Sequence, residues 1–130
     1  SHVNKFKLEN VQRKAARFIF NCYSWKVSPT ALLKTAGLEE LTLRRHRKKL
    51  KLFYLFYHSK IKIEEEILVE HTSRRPTRSY HSKRVATFSC KTNAFKYSFF
   101  PHTLTKWNGL SADIVNCKSV NLFLQALNEA

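Results

Sequence analysis

Arginine and lysine are the residues of this chain with the clearest chemistry, because they are numerous and clustered. Residues 44–51 contain six of them, which are Arg44, Arg45, Arg47, Lys48, Lys49 and Lys51. Like charges this close repel one another along a helix, and a bound polyanion would relieve that repulsion. Three interpretations stay open: a solvated surface, a nuclear-import patch and a face that binds a nucleic-acid backbone. We favour backbone binding, with candidate phosphate contacts at Arg44, Arg45, Lys48 and Lys49.

A second basic cluster lies in residues 71–84, which lack apolar periodicity and therefore predict a loop. Its candidate nucleic-acid contacts are Arg74, Arg75, Arg78, Tyr80, Lys83 and Arg84. Arginine binds phosphate through two parallel hydrogen bonds and stacks on bases, and tyrosine stacks as well. A flexible basic linker is the alternative interpretation.

Residues that could support catalysis are scarce. Asp113 is the single aspartate, whereas polymerases and many nucleases hold two metal ions with clustered carboxylates. Glu64, Glu65 and Glu66 form the one acidic cluster, but three adjacent side chains do not point at one centre, so we favour surface charge over a metal site. Two glycines cannot build a glycine-rich phosphate loop. We therefore predict no enzymatic activity, no cofactor and no bound metal.

The overall charge indicates a polyanionic partner. The chain has 24 lysines and arginines against 9 acidic residues, a net charge of +15, which favours RNA or DNA. A membrane is disfavoured because the positive charges do not flank one long apolar helix face. Cys22, Cys90 and Cys117 are widely spaced and lack zinc-site spacing, so we expect reduced thiols in an intracellular protein.

The composition favours helices as the elements that position these side chains. The chain has 130 residues, 43% of them hydrophobic, but only 2 glycines and 3 prolines, which leaves little material for hairpin turns. We predict one all-α domain over residues 1–130, a compact bundle of five or six helices around one long central helix, with a basic loop at about 71–84. Because the sequence contains no methionine, we expect it to be a fragment of a larger polyprotein.

Apolar spacing predicts where the first helices lie. A helix at about residues 4–21 would bury the stripe Leu8, Val11, Ala15, Phe18, Ile19 and Cys22. Arg13 and Arg17 lie on its other side, where charge is usually only solvation, but where they are also candidate phosphate contacts. Ser28 and Pro29 predict the start of a short helix that ends at Gly37.

The longest predicted helix, at about residues 42–60, begins highly charged and ends apolar nearly all round. We expect it to start in solvent and enter the core, with the inward stripe Leu43, Leu50, Phe53, Tyr54 and Tyr57. A further helix is predicted after Pro101, where Leu104, Trp107 and Leu110 recur on one face. Trp107 and Phe100 should be buried against Phe53 or Tyr57 of this long helix. Ser119 is predicted to cap a last helix with apolar positions Val120, Phe123, Leu124 and Leu127.

Two strings in the sequence carry a family resemblance. Residues 98–110 read Ser-Phe-Phe-Pro-x-Thr-x-x-x-Trp-Asn-x-Leu, which resembles the signature near the C-terminus of reverse transcriptases from jockey-like non-LTR retrotransposons. Residues 8–18 are similar to the helix that follows the polymerase thumb in that family. The helix with Arg44 and Arg45, and the ending Ser119-x-x-x-Phe123, also resemble it, so the resemblance covers about residues 8–127.

The resemblance implies a function and a partner. The chain would be a nucleic-acid-binding C-terminal module that holds RNA template or target DNA during target-primed reverse transcription, in an intracellular and nuclear setting. An upstream reverse transcriptase domain of the same polypeptide would carry the Tyr-x-Asp-Asp metal motif, which is missing here. The alternative is a protein-interaction or scaffold domain that packs on the polymerase thumb, or a host-domesticated adaptor derived from it.

Overall fold

The computed structural model describes residues 2–62 and 81–129, and these ranges fold into seven α-helices. The helices are α1 (His2–Ile19), α2 (Pro29–Thr35), α3 (Leu41–Tyr57), α4 (Asn93–Lys96), α5 (Phe99–Trp107), α6 (Ala112–Val115) and α7 (Val120–Glu129). No β-sheet occurs in the described ranges, which confirms the all-α prediction. Among the sequence-based candidates, those outside the described residues are Glu64, Glu65, Glu66, Arg74, Arg75, Arg78 and Tyr80.

The chain divides into two compact units, residues 1–46 and 47–130, with the boundary inside α3. The prediction of one domain over the whole chain stays a prediction. In the part of the chain that the structure describes, no helix has the length and apolarity needed to cross a membrane.

In the first unit, α1 packs against α2 around a small apolar cluster. Ala16, Leu32 and Leu33 are buried, and Cys22, Val27 and Leu38 pack against them. Gly37 ends α2 as predicted, because its φ of 65° allows the left-handed turn in which Leu38 N–H bonds the carbonyl of Leu33 at 2.9 Å. The start of α2 is also as predicted, with Ser28 before the helix and Pro29 in its first turn.

The prediction for the buried side of α1 is wrong, except that Cys22, just after the helix, packs against the small cluster. Val11 is 63% exposed and Phe18 is 76% exposed, and Leu8, Ala15 and Ile19 are exposed as well. The buried residue is Ala16, whose small side chain lets the seven-residue α2 approach closely. The polar side of α1 also holds residues 39–42, since Gln12 donates to the carbonyl of Glu39 at 2.8 Å and Glu9 accepts from the N–H of Thr42 at 3.1 Å.

The second unit has the larger core, and Trp107 lies at its centre. Its buried apolar residues are Leu50, Phe53, Tyr54, Val85, Leu104, Trp107, Ile114, Val115 and Phe123. The Trp107 ring lies 5.0 Å from Phe53, 5.6 Å from Tyr57 and 5.9 Å from Phe123, measured between ring centroids. This confirms that Trp107 packs against α3. Phe100 is only half-buried, and its ring stacks on Phe56 at 6.1 Å.

Helix α3 differs from its prediction at both ends. Leu43 is exposed, because the apolar stripe that reaches the core begins about two turns later, at Leu50, and continues at Phe53 and Tyr54. The helix ends at Tyr57 rather than at about residue 60. Ser59 adopts a φ of 52°, and Lys60 N–H then bonds the carbonyl of Leu55 at 2.9 Å, which closes the helix with a left-handed turn.

Candidate nucleic-acid interface

The described part of the second unit carries a strong excess of positive charge. Its acidic residues are Asp113 and Glu129. Its twelve basic residues are Arg47, Lys48, Lys49, Lys51, Lys60, Lys62, Lys83, Arg84, Lys91, Lys96, Lys106 and Lys118. Two carboxylates cannot neutralise twelve cations, so this unit produces a positive field that attracts polyanions over a Debye length in solution.

The start of α3 in this unit presents lysines to solvent. Lys48 and Lys51 are exposed, whereas Lys49 and Arg47 are half-buried. Residues three apart lie on the same side of a helix, and this side is opposite to Phe53, which is fully buried. Lys51 was absent from the sequence-based candidates. Its position three residues after Lys48, on the helix side opposite to Phe53, is the sequence signal that identifies it.

Arg44 and Arg45 lie in the part of α3 that belongs to the first unit, and both side chains are exposed. Exposure leaves their guanidinium groups accessible to a phosphate. They remain candidate phosphate contacts, as the sequence predicts.

Arg17 has an internal role that the sequence did not predict. Its Nη1 donates to the carbonyl of Ser24 at 2.9 Å and to that of Cys22 at 3.4 Å, and its Nη2 donates to the carbonyl of Val27 at 3.2 Å. One guanidinium therefore closes the loop between α1 and α2. Three carbonyls already take up donors that a phosphate would need, so Arg17 is a weaker candidate than Arg44 or Arg45.

Arg13 lies in mixed electrostatic surroundings. It is half-buried, donates to Oδ1 of Asn10 at 3.3 Å, and its guanidinium carbon lies 5.9 Å from the centroid of the Phe6 ring. It also lines a cleft of about 390 Å³ whose other lining residues are Glu9, Thr30, Leu33, Lys34, Gly37, Leu38, Glu39 and Glu40. The three glutamates make this cleft unfavourable for an anion.

Trp107 and Asn108 hold the segment 81–85, which contains two candidate contacts. The indole Nε1 of Trp107 donates to the carbonyl of Lys83 at 2.9 Å, and Nε2 of His81 donates to the carbonyl of Trp107 at 3.1 Å. The amide of Asn108 accepts from Val85 N–H at 3.0 Å and donates to the Val85 carbonyl at 2.8 Å. We call this set of bonds the Trp-Asn clasp. It fixes the backbone on which Lys83 and Arg84 lie.

The side chains of Lys83 and Arg84 are half-buried. Nζ of Lys83 donates to the carbonyl of Val115 at 3.3 Å, at the C-terminal end of α6, where a positive charge is favourable. Arg84 also has an interaction within the protein. These two residues therefore combine a structural role with their contribution to the positive field.

Two histidines near this segment add no charge at neutral pH. Burial lowers the pKa of His58, and the nearby ammonium groups of Lys83 and Lys60 lower it further. Burial also lowers the pKa of His81, an effect opposed by its hydrogen bond to Trp107 and reinforced by Arg84 and Lys83. In residues 2–62 and 81–129, no group of three or more histidine, cysteine, aspartate or glutamate residues could hold a metal ion.

Comparisons with protein-family models, with curated proteins and with solved structures each found no match to this chain. The resemblance carried by residues 8–18 and 98–110 therefore stays a prediction. Support for a function therefore comes from the charge, exposure and contacts of the described residues.

Proposed function

We propose that the chain is a nucleic-acid-binding module that holds a phosphate backbone with basic side chains and performs no catalysis of its own. The observation that carries this proposal is the charge imbalance of the second unit. In its described residues, twelve lysines and arginines stand against two carboxylates, and Lys48 and Lys51 are exposed on one side of α3. Each lysine–phosphate contact releases condensed counterions, which drives binding at low salt.

The support for α3 as a binding element is its anchoring. Leu50 and Phe53 are buried on the side away from Lys48 and Lys51. Tyr54 is buried as well, and its hydroxyl donates to the carbonyl of Cys117 at 2.7 Å. A helix held by its apolar side presents its outer lysines at fixed spacing, so less conformational entropy is lost when a phosphate backbone binds.

The finer proposal follows from the family resemblance. In that setting the chain is the C-terminal module of a retrotransposon reverse transcriptase, and it holds RNA template or target DNA during target-primed reverse transcription. Its partners are RNA or DNA and an upstream reverse transcriptase domain of the same polypeptide, and its location is nuclear. Residues 98–110 and 8–18 carry this part of the proposal.

A second candidate function is a protein-interaction or scaffold domain, including a domesticated adaptor. The observation that favours it is the exposed apolar side of α1, where Leu8, Val11 and Phe18 are all exposed. Contiguous apolar surface of this kind is typical of protein–protein contacts. In this alternative the basic surface of the second unit would not be the functional surface.

Titration of a labelled oligonucleotide at several salt concentrations tests the proposal. The double variant Lys48→Gln/Lys51→Gln removes two charges and keeps the helix, because glutamine is a fair helix former. We expect weaker binding in fluorescence anisotropy and a flatter dependence of log affinity on log salt. The slope should change by about 0.9 per lost contact on duplex DNA and about 0.7 on a single strand.

The matched control is Lys5→Gln/Lys34→Gln, which removes two exposed helical lysines from the first unit. It should leave the affinity and the salt slope closer to those of the parent chain. Equal losses in the two double variants would mean that α3 has no specific role. Absence of binding by the parent chain at low salt would overturn the proposal and leave the scaffold function.

A further inference from the structure

Three aromatic side chains of the second unit lie at the surface, near two exposed lysines in the sequence. Phe88, Phe95 and Tyr97 are exposed, Tyr97 by 62%, and we call these three residues the aromatic platform. Lys91 and Lys96 are exposed beside them in the sequence. None of these five residues is a candidate contact on the basis of sequence alone.

The platform stands on an ordered turn. Thr92 caps α4, and its Oγ1 accepts from the N–H of Phe95 at 3.3 Å. The Phe95 carbonyl accepts from Oγ of Ser98 at 2.7 Å. Both backbone polar groups of Phe95 are thus bound locally, so the ring is displayed from a fixed backbone rather than from a freely moving loop.

The Phe88–Phe95 pair leaves ring faces open, and the exposed Tyr97 ring has the His102 ring 6.4 Å away between centroids. Phe88 and Phe95 meet edge to face, with ring centroids 5.9 Å apart and an interplanar angle of 68°. Nζ of Lys96 lies 5.8 Å from the centroid of the Tyr97 ring. In an edge-to-face pair the edge of one ring covers one face of the other, and the pair leaves the other three faces uncovered. The ammonium of Lys96 adds a positive charge beside the Tyr97 ring.

The charge around the platform indicates what occupies it. Residues 71–112 contain no aspartate and no glutamate, so an anionic occupant meets no repulsion from this stretch. Single-stranded nucleic acid combines phosphates with unpaired bases, and those bases stack on aromatic side chains with little sequence preference. A duplex presents phosphates but keeps its base faces stacked inside the helix.

We propose that the aromatic platform stacks on unpaired bases of a single-stranded nucleic acid while Lys91 and Lys96 bind its phosphates. This inference rests on the proposed function, because it names the strand class that the same basic unit binds. RNA and DNA single strands share the chemistry that the platform recognises, and separate oligonucleotides of each distinguish them.

The test compares the parent 130-residue chain with Tyr97→Leu, Tyr97→Phe and Phe95→Leu. The probes are a labelled single-stranded RNA, a single-stranded DNA of the same sequence and the corresponding DNA duplex. Leucine keeps an apolar side chain but removes the π-face, whereas phenylalanine at position 97 keeps the face and removes only the hydroxyl. We expect Tyr97→Leu and Phe95→Leu to weaken single-strand binding by about 5- to 100-fold, with duplex binding unchanged and Tyr97→Phe like the parent.

The control variant is Trp25→Leu, which removes an exposed aromatic ring with a lysine near it in the first unit. Trp25 is 86% exposed, and Nζ of Lys26 lies 5.8 Å from the centroid of its ring. We expect this variant to bind single strands like the parent. A loss as large as that of Tyr97→Leu would mean that any exposed aromatic has this effect, which would overturn the platform.

The outcomes separate this inference from the proposed function. If the parent binds nucleic acid and Lys48→Gln/Lys51→Gln weakens it, while Tyr97→Leu and Phe95→Leu bind single strands like the parent, only the platform is overturned. Equal weakening on single strands and duplex would also overturn it. A third outcome would also overturn it. If a labelled acidic peptide with aromatic residues binds the parent more tightly than the oligonucleotides do, and Tyr97→Leu loses this binding, the partner is a protein.

Discussion

Asn108 is a small residue that makes two buried hydrogen bonds to the backbone of another segment. One side-chain amide satisfies both backbone groups of Val85, at 3.0 and 2.8 Å, in the way a neighbouring strand would. Both Asn108 and Val85 are buried, so water cannot replace these bonds. The adjacent Trp107 fills the core and binds the carbonyl of Lys83 with its indole N–H. The pair Trp-Asn therefore joins helix α5 to the segment 81–85.

Asn108→Ala should destabilise the chain by about 2–4 kcal/mol, because two buried backbone groups lose their partners. Asn108→Asp keeps an acceptor for the Val85 N–H but has no donor for its carbonyl, and it should also be destabilising. Urea denaturation measures both effects. The control Asn121→Ala changes an exposed position and should stay within about 0.5 kcal/mol of the parent. Equal stability of Asn108→Ala and the parent would show that the clasp does not contribute.

The clasp also marks the limit of sequence interpretation at the residue scale. Burial of Trp107 followed from its spacing with Leu104 and from its size. The partners of Trp107 and Asn108 lie 23–26 residues earlier in the chain, and no local pattern predicts such a pairing. The internal role of Arg17 was not predicted for the same reason. From the sequence, a charged residue on a helix is expected to be solvated, and nothing local shows that backbone carbonyls surround it.

At the scale of elements, the first three helices end in the same way. After α1, α2 and α3 the chain turns through a left-handed residue, which is Asn21, Gly37 and Ser59 in turn, with φ of 46°, 65° and 52°. In each case the next N–H bonds back to the helix, as with Cys22 to Arg17 at 2.9 Å. Glycine takes this conformation without strain and asparagine tolerates it, whereas serine pays a steric cost. The sequence predicted only the turn with glycine.

Ser59→Gly should therefore stabilise the chain, by about 1 kcal/mol, since it relieves the left-handed strain at the end of α3. Thermal unfolding measures the change. The control Ser89→Gly acts in an exposed loop position whose φ is not positive, where glycine only adds freedom to the unfolded chain and should lower stability slightly. If both variants lower the melting temperature by a similar amount, the left-handed conformation of Ser59 does not destabilise the folded chain.

Helix positions were predictable because apolar spacing and end signals are local, but the buried side of α1 was not. Periodicity shows that Leu8, Val11 and Phe18 share one side, and it does not show what covers that side. In the first unit, the packing is decided instead by the close approach at Ala16 and by two hydrogen bonds, one accepted by Glu9 and one donated by Gln12. Tertiary contacts have overridden amphipathicity here, which leaves an apolar side exposed.

At the scale of the whole molecule, the net positive charge favours binding of polyanions, whereas metal-dependent catalysis needs clustered carboxylates. The chain carries a net charge of +15 with a single aspartate, Asp113, which is exposed in the first turn of α6. Two-metal catalysis requires several carboxylates that share metal ions about 4 Å apart. The described residues contain no cluster of three or more such ligands, and the proposed binding function requires none.

The 130-residue chain should accordingly bind oligonucleotides without processing them. With Mg²⁺ or Mn²⁺ and a primed template, we expect no nucleotide incorporation, and with supercoiled DNA no nicking above the rate without protein. Asp113→Asn is the discriminating variant, because it removes the only aspartate from an exposed position where folding should not depend on it. Activity that persists in Asp113→Asn comes from a contaminating enzyme or from other residues, and gel-filtration fractions that separate activity from the protein peak identify the former. Activity that follows the protein peak, requires the metal and disappears in Asp113→Asn would contradict the proposal that this chain binds nucleic acid without catalysis.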